Sequence, residues 1–569
     1  MRNIKKKQIM KRLINLILFS MAVLAVAGCS NKEMELKELL TKIENEVKPL
    51  RTESNVAMWN GSISGNQEDF QKSAQAQEKV TAYFSNKEIF EQLKAFKESG
   101  KIVDPLLSRQ LDVVYNQFLA NQADINLLNE IISKSTNLER MYGEYRASLN
   151  GKSITDNDVE NILRTSTNNK ELKAVWESHK GIGKVVEKEL IEVVKLRNKV
   201  AQSLGFDNYH SMSLELSGQK PEEITAILDE LDSLTRGAFG QLKDEMDEAF
   251  SKRYKVKKED LMPWHYQGRY FQEAPNLYPI DLDKFYEGKN LEALTSDFYT
   301  SIGLDINKML ANSSLYPQEG KNQHAFCIDI DGDGDVRVLC NLASNEQWMG
   351  TMLHEYGHAI YAQTHDENRA LPYSLRDAAH TFTTEAVAMI FGRLSRNAAW
   401  MQKSLGLTDE QKASIEEDCF KSLRLQQVVF SRWVQVVYRF EKEMYANPDQ
   451  DLNQLWWSLV KKYQQIRKPE GRNEPDYATK IHIALYPCYY HNYQLGEIFA
   501  SQMHNYIVTN ISKSNDMKNE CYIGNKEIGK WMSEKVFSPG MQYEWAEFIE
   551  KATGEKLTAK YYAEQFELN

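Results

Sequence analysis

Two histidines four residues apart, with a glutamate directly after the first, form the string His354-Glu355-Tyr356-Gly357-His358. On a helix, positions i and i+4 share a face, so both imidazoles can reach one metal ion at about 2.0–2.1 Å. Glu355 then lies beside the position such a metal leaves open and can take a proton from a bound water. Two histidines and a carboxylate, with one position left for water, make a catalytic zinc set. The plain alternative is two surface histidines on a helix. With 11 histidines in 569 residues, an accidental string of this form is expected on the order of once in fifty to a hundred such chains.

The third ligand is expected from the segment Thr381-Phe-Thr-Thr-Glu385-Ala-Val-Ala-Met-Ile-Phe-Gly. Glu385 is its one acidic residue, and a carboxylate in so apolar a setting is avoided unless paired or metal-bound. It follows His358 by 27 residues, room for one helix to end, a loop through Pro372, and an antiparallel return. Asp377 is the alternative, although Arg376 and His380 beside it read as a polar loop. Further on, Lys480-Ile-His482-Ile-Ala-Leu-Tyr486-Pro-Cys-Tyr489-Tyr490-His491-Asn-Tyr493 packs a lysine, two histidines and four tyrosines into fourteen residues. Hydrolysis of an amide through an oxyanion needs such donors, and a substrate carboxylate needs a cation. An aromatic core segment with locally satisfied hydroxyls is the structural alternative.

The elements that must position these groups are helical. Stretches 67–97, 105–148, 155–205, 220–255, 345–365, 381–446 and 479–510 carry apolar residues at three- and four-residue intervals, the period of one helix face. Ser344 followed by Gln347 offers an N-cap and capping box about three turns before the metal motif. The clearest β element is a hairpin near 326–340, so the expected fold is mainly α with one small sheet. In that hairpin Asp329-Ile-Asp331-Gly-Asp333-Gly matches the first half of a calcium loop. Its twelfth position is Cys340 rather than glutamate, so a polar turn is the default. Cys327 and Cys340 at its two ends are a candidate disulfide; Cys419, Cys488 and Cys521 show no metal-ligand spacing and read as buried small hydrophobes.

The first residues are a separate object. Six basic residues precede an apolar run, Leu13 to Gly28, that ends at Val26-Ala27-Gly28-Cys29. This has the form of a bacterial lipoprotein signal over 1–28, with Cys29 as the lipidated residue and 29–569 as the mature unit. The run is shorter than the roughly 20 residues of a membrane span, which disfavours a signal anchor. Export with the chain facing the periplasm or cell exterior follows, in a compartment where disulfides form. Loss of the six basic residues takes the net charge from −10 to −16, which argues against nucleic acid as a partner. Composition, with 42% hydrophobic and 26% charged residues and few Gly, Pro or Cys, excludes disordered, collagenous and disulfide-dense classes.

Taken together these strings resemble the angiotensin-converting enzyme family of zinc dipeptidyl carboxypeptidases, peptidase family M2. HEYGH, the proline loop and F-T-T-E-A correspond to the family's H-E-M-G-H and G-F-H-E-A; K-I-H-I and Y-x-x-Y correspond to K-F-H-I and Y-x-R-Y. His324-Ala325 stands 30 residues before His354, as the family's substrate-binding pair does. The resemblance implies a zincin-type helical ellipsoid, two subdomains around a deep groove, with a lid of N-terminal helices. It implies one zinc ion on His354, His358 and Glu385; Glu355 as general base and proton shuttle; Tyr493 donating to the oxyanion; and His482 assisting. His324 and Ala325 would hold the substrate chain, and Lys480, Tyr490 and Gln272 the carboxylate of a short peptide with a free C-terminus. A zinc oligopeptidase, a single-residue carboxypeptidase and a non-catalytic peptide-binding lipoprotein are the competing readings. The chain departs from the family at three places. One inserted residue lets Tyr489 compete with Tyr490. Asn492 replaces the arginine before the catalytic tyrosine, which leaves chloride dependence in doubt. Met389 replaces an aspartate, so a partner for a zinc-bound histidine must come from elsewhere.

Overall fold

The computed structural model describes residues 2–278, 280–363 and 370–568, with side chains described from Asn31 onward. The expected leader and the lipidation site at Cys29 lie outside the described side chains. Among the described residues no helix is long and apolar enough to cross a membrane.

Four helices, α1 (Arg2–Ser64), α2 (Gln67–Phe84), α3 (Lys87–Ser99) and α4 (Pro105–Leu119), open the chain and are the segment that the resemblance reads as a lid. Their ends follow local chemistry. Asn86 caps α3 by accepting from the Ile89 N–H, and Asp104 caps α4 by accepting from the Leu107 N–H, with Pro105 in the first turn, where its missing donor costs nothing. The lid has its own apolar core, in which Leu36, Leu40 and Ile43 of α1 meet Phe84, Leu93 and Phe118. Its contacts with the body are both apolar and polar: Trp59 and Val56 of α1 pack on Ile328, Ile330 and Leu339, and Val113 of α4 packs on Leu371 and Leu375. Glu44 accepts from the Ser374 N–H and hydroxyl at 2.9 and 2.7 Å, Lys48 pairs with Asp333, and the Asn55 amide donates to the carbonyls of Asp329 and Ile330.

The body has one continuous core. Two long helices, α5 (Pro221–Tyr254) and α8 (Asp409–Ala446), pack through it, joined by the buried pair Arg432–Asp232. Between them in the chain lie the pair that matters for chemistry, α6 (Glu346–Ala362) and α7 (Thr381–Gly392). A further helix, α9 (His491–Tyr506), packs on α7.

Two antiparallel hairpins supply the only strands among the described residues: β1 (Ala147–Leu149) with β2 (Lys152–Ile154), and β3 (Phe326–Asp329) with β4 (Val336–Leu339). The first was not expected; strands of three residues are too short to show a period. In the second, the acidic turn is a polar turn and not a calcium loop. Asp329 Oδ1 accepts from the Asp331 and Gly332 N–H groups, Asp331 Oδ1 from those of Asp333 and Asp335, and Asp333 pairs with Lys48 and Arg376.

The proposed disulfide is absent. Cys327 pairs in register with Val338, which makes Cys340 its diagonal neighbour, at a separation of about 7–8 Å where a bridge needs Cβ atoms about 3.5–4.5 Å apart. Both are free thiols, as are Cys419, Cys488 and Cys521. The stretch read as helix over 381–446 is broken at Arg393–Asn397 and again near Thr408. Unfolding residues 30–569 without reductant should therefore release five titratable thiols per chain, and a count of three would restore the hairpin bridge.

Candidate active site

The helix α6 begins one residue later than its sequence suggests. Asn345, not Ser344, is the cap, accepting from the Trp348 N–H, while the Ser344 hydroxyl turns to the Lys289 carbonyl. The shift leaves the spacing inside the helix intact. His354 and His358 project from one face, with Nε2 atoms 3.2 Å apart.

Helix α7 brings the third group. Its start is set by His380, whose Nδ1 accepts from the Phe382 N–H. The Tyr361 hydroxyl meets Thr383 Oγ1 at 3.2 Å and ties the two helices. They approach closely at Gly357: a Cβ built there would stand 2.8 Å from Ala388 Cα and 3.1 Å from the Val387 carbonyl. At Gly496 of α9, a Cβ would stand 3.1 Å from Glu385 Cβ. These two glycines let three helices converge, and Glu385 Oε2 lies 3.8 Å from each histidine Nε2.

The residues present fit a tetrahedral metal. Ligands about 2.0–2.1 Å from zinc are separated from one another by about 3.3–3.4 Å, and the three atoms here are 3.2, 3.8 and 3.8 Å apart. Among the described residues this is the one group of three ligating side chains with such spacing. Asp377 is not part of it; it faces a cavity of about 350 Å³ with Arg51, Asp329, Tyr373 and Thr384.

Burial governs the charges. It pulls His354 down to about 4 and His358 to about 3, the latter with help from His354, so both imidazoles are neutral and able to ligate. Burial and then the Glu385 charge push Glu355 up to about 8. Burial and then Glu497 push Glu385 up to about 7. Two carboxylates crowded in a low dielectric resist ionising together, and a dication between them reverses that logic. Glu355 is buried and faces the β3–β4 hairpin; after burial itself, its charge is the next influence raising the thiols of Cys327 and Cys340.

A second cluster gathers around Lys480. Its Nζ donates to Gln272 Oε1 at 2.6 Å and lies 5.1, 5.7 and 5.4 Å from the ring centres of Tyr270, Trp433 and Tyr490. The loop carrying Gln272 is held by the buried Gln464, which donates to the carbonyls of Tyr270 and Phe271. Tyr490 rather than Tyr489 thus stands over the lysine. Tyr489 stacks edge-on with Tyr493 at 5.3 Å, and Glu385 raises both of their hydroxyls after burial does. His482 belongs to the Lys480 cluster, 5.2 Å from the Tyr490 ring, with a buried Nδ1 that has no partner among the described residues; the Tyr490 and Tyr493 rings, 5.5 Å apart, connect that cluster to Glu385. His324 is exposed and Ala325 half-buried, directly ahead of β3. Asn492 is buried and accepts from the Gln219 amide.

Sequence reasoning missed two contributors. Glu497, paired with Arg393 and accepting from Gln427, stands behind Glu385 and His354. It lies in a helix of mixed polar and apolar residues, so it lacks the isolation that exposed Glu385. Thr384, whose hydroxyl meets His358 Nδ1 at 2.8 Å, has no signal in a string of threonines.

The peptidase M2 family model, described as angiotensin-converting enzyme, matches residues 30–567. The angiotensin-converting enzyme of Theromyzon tessulatum is 23% identical over 578 residues, 95% of this chain and 92% of the relative. Those of Mesocricetus auratus and Mus musculus are 23% and 24% identical, over 72% and 76% of this chain. The chain spans about a third of the length of these two mammalian relatives, 33% and 35%.

Substituting Gly357→Ala should force α6 and α7 apart, at a cost of about 1–3 kcal/mol. The melting temperature is expected to fall by about 1–3 °C and zinc affinity to fall with it. A wild-type melting temperature and zinc affinity would show that the close approach is not needed.

Proposed function

The chain belongs to the angiotensin-converting enzyme family, peptidase family M2, and on that premise we propose that it is a zinc metallopeptidase that removes dipeptides from the C-termini of short peptides. The observation that carries the reading is the separation of two clusters: a metal-ligating triad, and a caged ammonium at Lys480 able to take a carboxylate. Tyr490, over Lys480, and Tyr493, near Glu385, meet ring to ring at 5.5 Å and connect the two.

In this reading His354, His358 and Glu385 hold the ion. Bound zinc supplies Lewis acidity, polarising the scissile carbonyl and acidifying a water. Glu355 takes the proton of the attacking water and delivers it to the leaving amine, which suits a carboxyl whose affinity for protons is already raised. Tyr493 donates its hydroxyl to the oxygen that gains charge, and His482 donates at the same centre from a nitrogen that has no other use. His324 and the Ala325 backbone hold the extended substrate. Lys480, Gln272 and Tyr490 bind the terminal carboxylate in a setting with little water, where a charged hydrogen bond is strong. The leader motif at Val26-Ala27-Gly28-Cys29 supports export and tethering to a bilayer through Cys29.

Purified residues 30–569 should release an intact dipeptide from an N-blocked tripeptide, read by mass. Chelation should abolish the release and zinc restore it, and Glu355→Gln should lower kcat by about 10²–10⁴-fold. Release of single residues, or equal cleavage of a C-terminally amidated peptide, would refute the dipeptidyl clamp. No cleavage by a folded, zinc-loaded sample would favour a binding protein.

The clamp also sets a pH limit. Burial and then Arg269 pull Lys480 down to about 8, so the free enzyme carries the ammonium below that value and loses it above. For peptides with a free C-terminus, kcat/KM should fall as pH rises through about 8. The kcat alone should hold to higher pH, because a bound carboxylate keeps the lysine protonated. Lys480→Met should raise KM by roughly two orders of magnitude and remove this limb; an unchanged profile in that variant would assign the limb to another group.

A further inference from the structure

For His358 to offer the Nε2 lone pair to an ion, its hydrogen must sit on Nδ1, and whatever accepts that hydrogen sets the tautomer and the ring angle. In this structure Nδ1 lies 2.8 Å from Thr384 Oγ1. No other hydrogen bond to that nitrogen is formed among the described residues. His354 has no such partner among them; its side chain is set by packing on α7, with Cβ 3.3 Å and Nδ1 3.7 Å from the point where a Cβ on Gly392 would stand.

Thr384 is well placed for this task for three reasons. It precedes Glu385 on α7, so one turn of one helix holds both a metal-facing carboxylate and the group behind the opposing imidazole. A threonine within a helix commonly turns its hydroxyl back to the carbonyl four residues earlier. Here that carbonyl belongs to His380 and already accepts from the Thr383 hydroxyl at 2.7 Å, which leaves the Thr384 hydroxyl for His358. Its branched side chain is also stiff about χ1, so the acceptor is fixed before any ion arrives. Being neutral, it orients the ring without adding another carboxylate to Glu355, Glu385 and Glu497, which already act on one another.

We propose that Thr384 is a positioning residue for the metal: by accepting the Nδ1 hydrogen of His358 it holds the tautomer and the ring angle that present Nε2 to zinc. The inference rests on the reading of His354, His358 and Glu385 as the zinc set.

The test measures zinc dissociation by competition with a chromophoric chelator on residues 30–569, together with the melting temperature of the metal-free protein. Wild type is measured first beside His354→Ala. If wild type binds no zinc, or His354→Ala binds as tightly, the metal reading itself fails. With that reading in hand, Thr384→Val, which keeps the shape and deletes the acceptor, should weaken zinc binding by about 10–100-fold. Its metal-free melting temperature should stay at the wild-type value. Thr384→Ser should remain within about threefold of wild type. Equal zinc affinity in wild type and Thr384→Val overturns the proposal, and so does a Thr384→Ser affinity as weak as that of Thr384→Val. If Thr384→Val does not fold, Thr384→Ala against Thr384→Ser makes the same comparison: a gap of tenfold or more supports the role and equal affinities overturn it.

Discussion

The packing of α6 against α7 at Gly357 is the constraint on which the site depends. The carboxylate that completes the ligand set is 27 residues from the second histidine in sequence and reaches it only because two helix backbones come within side-chain-free contact. A methyl group at Gly357 would meet backbone, not a movable side chain. Gly496 plays the same part for α9, which brings Tyr493 and Glu497 to the other side of Glu385. Helices usually pack with side chains between them, 8–10 Å apart. Where a metal must be reached by short side chains from several helices, small residues at the crossings shorten that distance.

The cost of this convergence is electrostatic. Glu355, Glu385 and Glu497 stand in a region of low dielectric, and burial raises the first two toward neutrality. Such a cluster is unfavourable for an empty fold and favourable once a dication is bound, so metal binding and the order of this region are linked. Glu497 is compensated separately by Arg393 and Gln427. The same principle runs in reverse at Lys480, an ammonium buried among three aromatic rings and one amide oxygen. The charge in each cluster is of one sign, acidic at Glu355 and Glu385 and basic at Lys480, and in each burial pushes the group toward its neutral form.

The lid is built differently from the body. It has an apolar core of its own, and two smaller apolar clusters, around Trp59 on the β3–β4 hairpin and around Val113 on Leu371 and Leu375, join it to the body. Beside them run hydrogen bonds and ion pairs from Glu44, Lys48 and Asn55 to the acidic hairpin turn and to Ser374. The glycine-rich aspartate string, whose spacing imitates half a calcium loop, spends its carboxylates on its own turn and on this junction. The Oδ1 atoms of Asp329 and Asp331 brace the turn through backbone N–H groups, and Asp333 bridges to Lys48 and Arg376 at the junction.

How much of this was legible in the sequence depends on whether a signal is local. The helix periods, the i, i+4 histidines with Glu355 beside them, and the isolated acid at Glu385 are all fixed by residues within a few turns, so the helical class and the residues that the structure gathers into one triad could be read directly. The cap at Asn345 rather than Ser344 and the broken stretch after Arg393 were misread by short distances, because competing caps differ by tenths of a kilocalorie and tertiary packing chooses between them. Three things were decided only in three dimensions. The register of β3 on β4 keeps Cys327 and Cys340 apart. The left-handed turn at Phe271, with φ 52°, and the grip of Gln464 carry Gln272 to Lys480 and select Tyr490 over Tyr489. The antiparallel approach of α7 to α6 turns Thr384, otherwise one hydroxyl among several, toward His358. Sequence specifies which groups are available and which face of an element they share; contacts across elements depend on backbone separation and register, which no local pattern encodes.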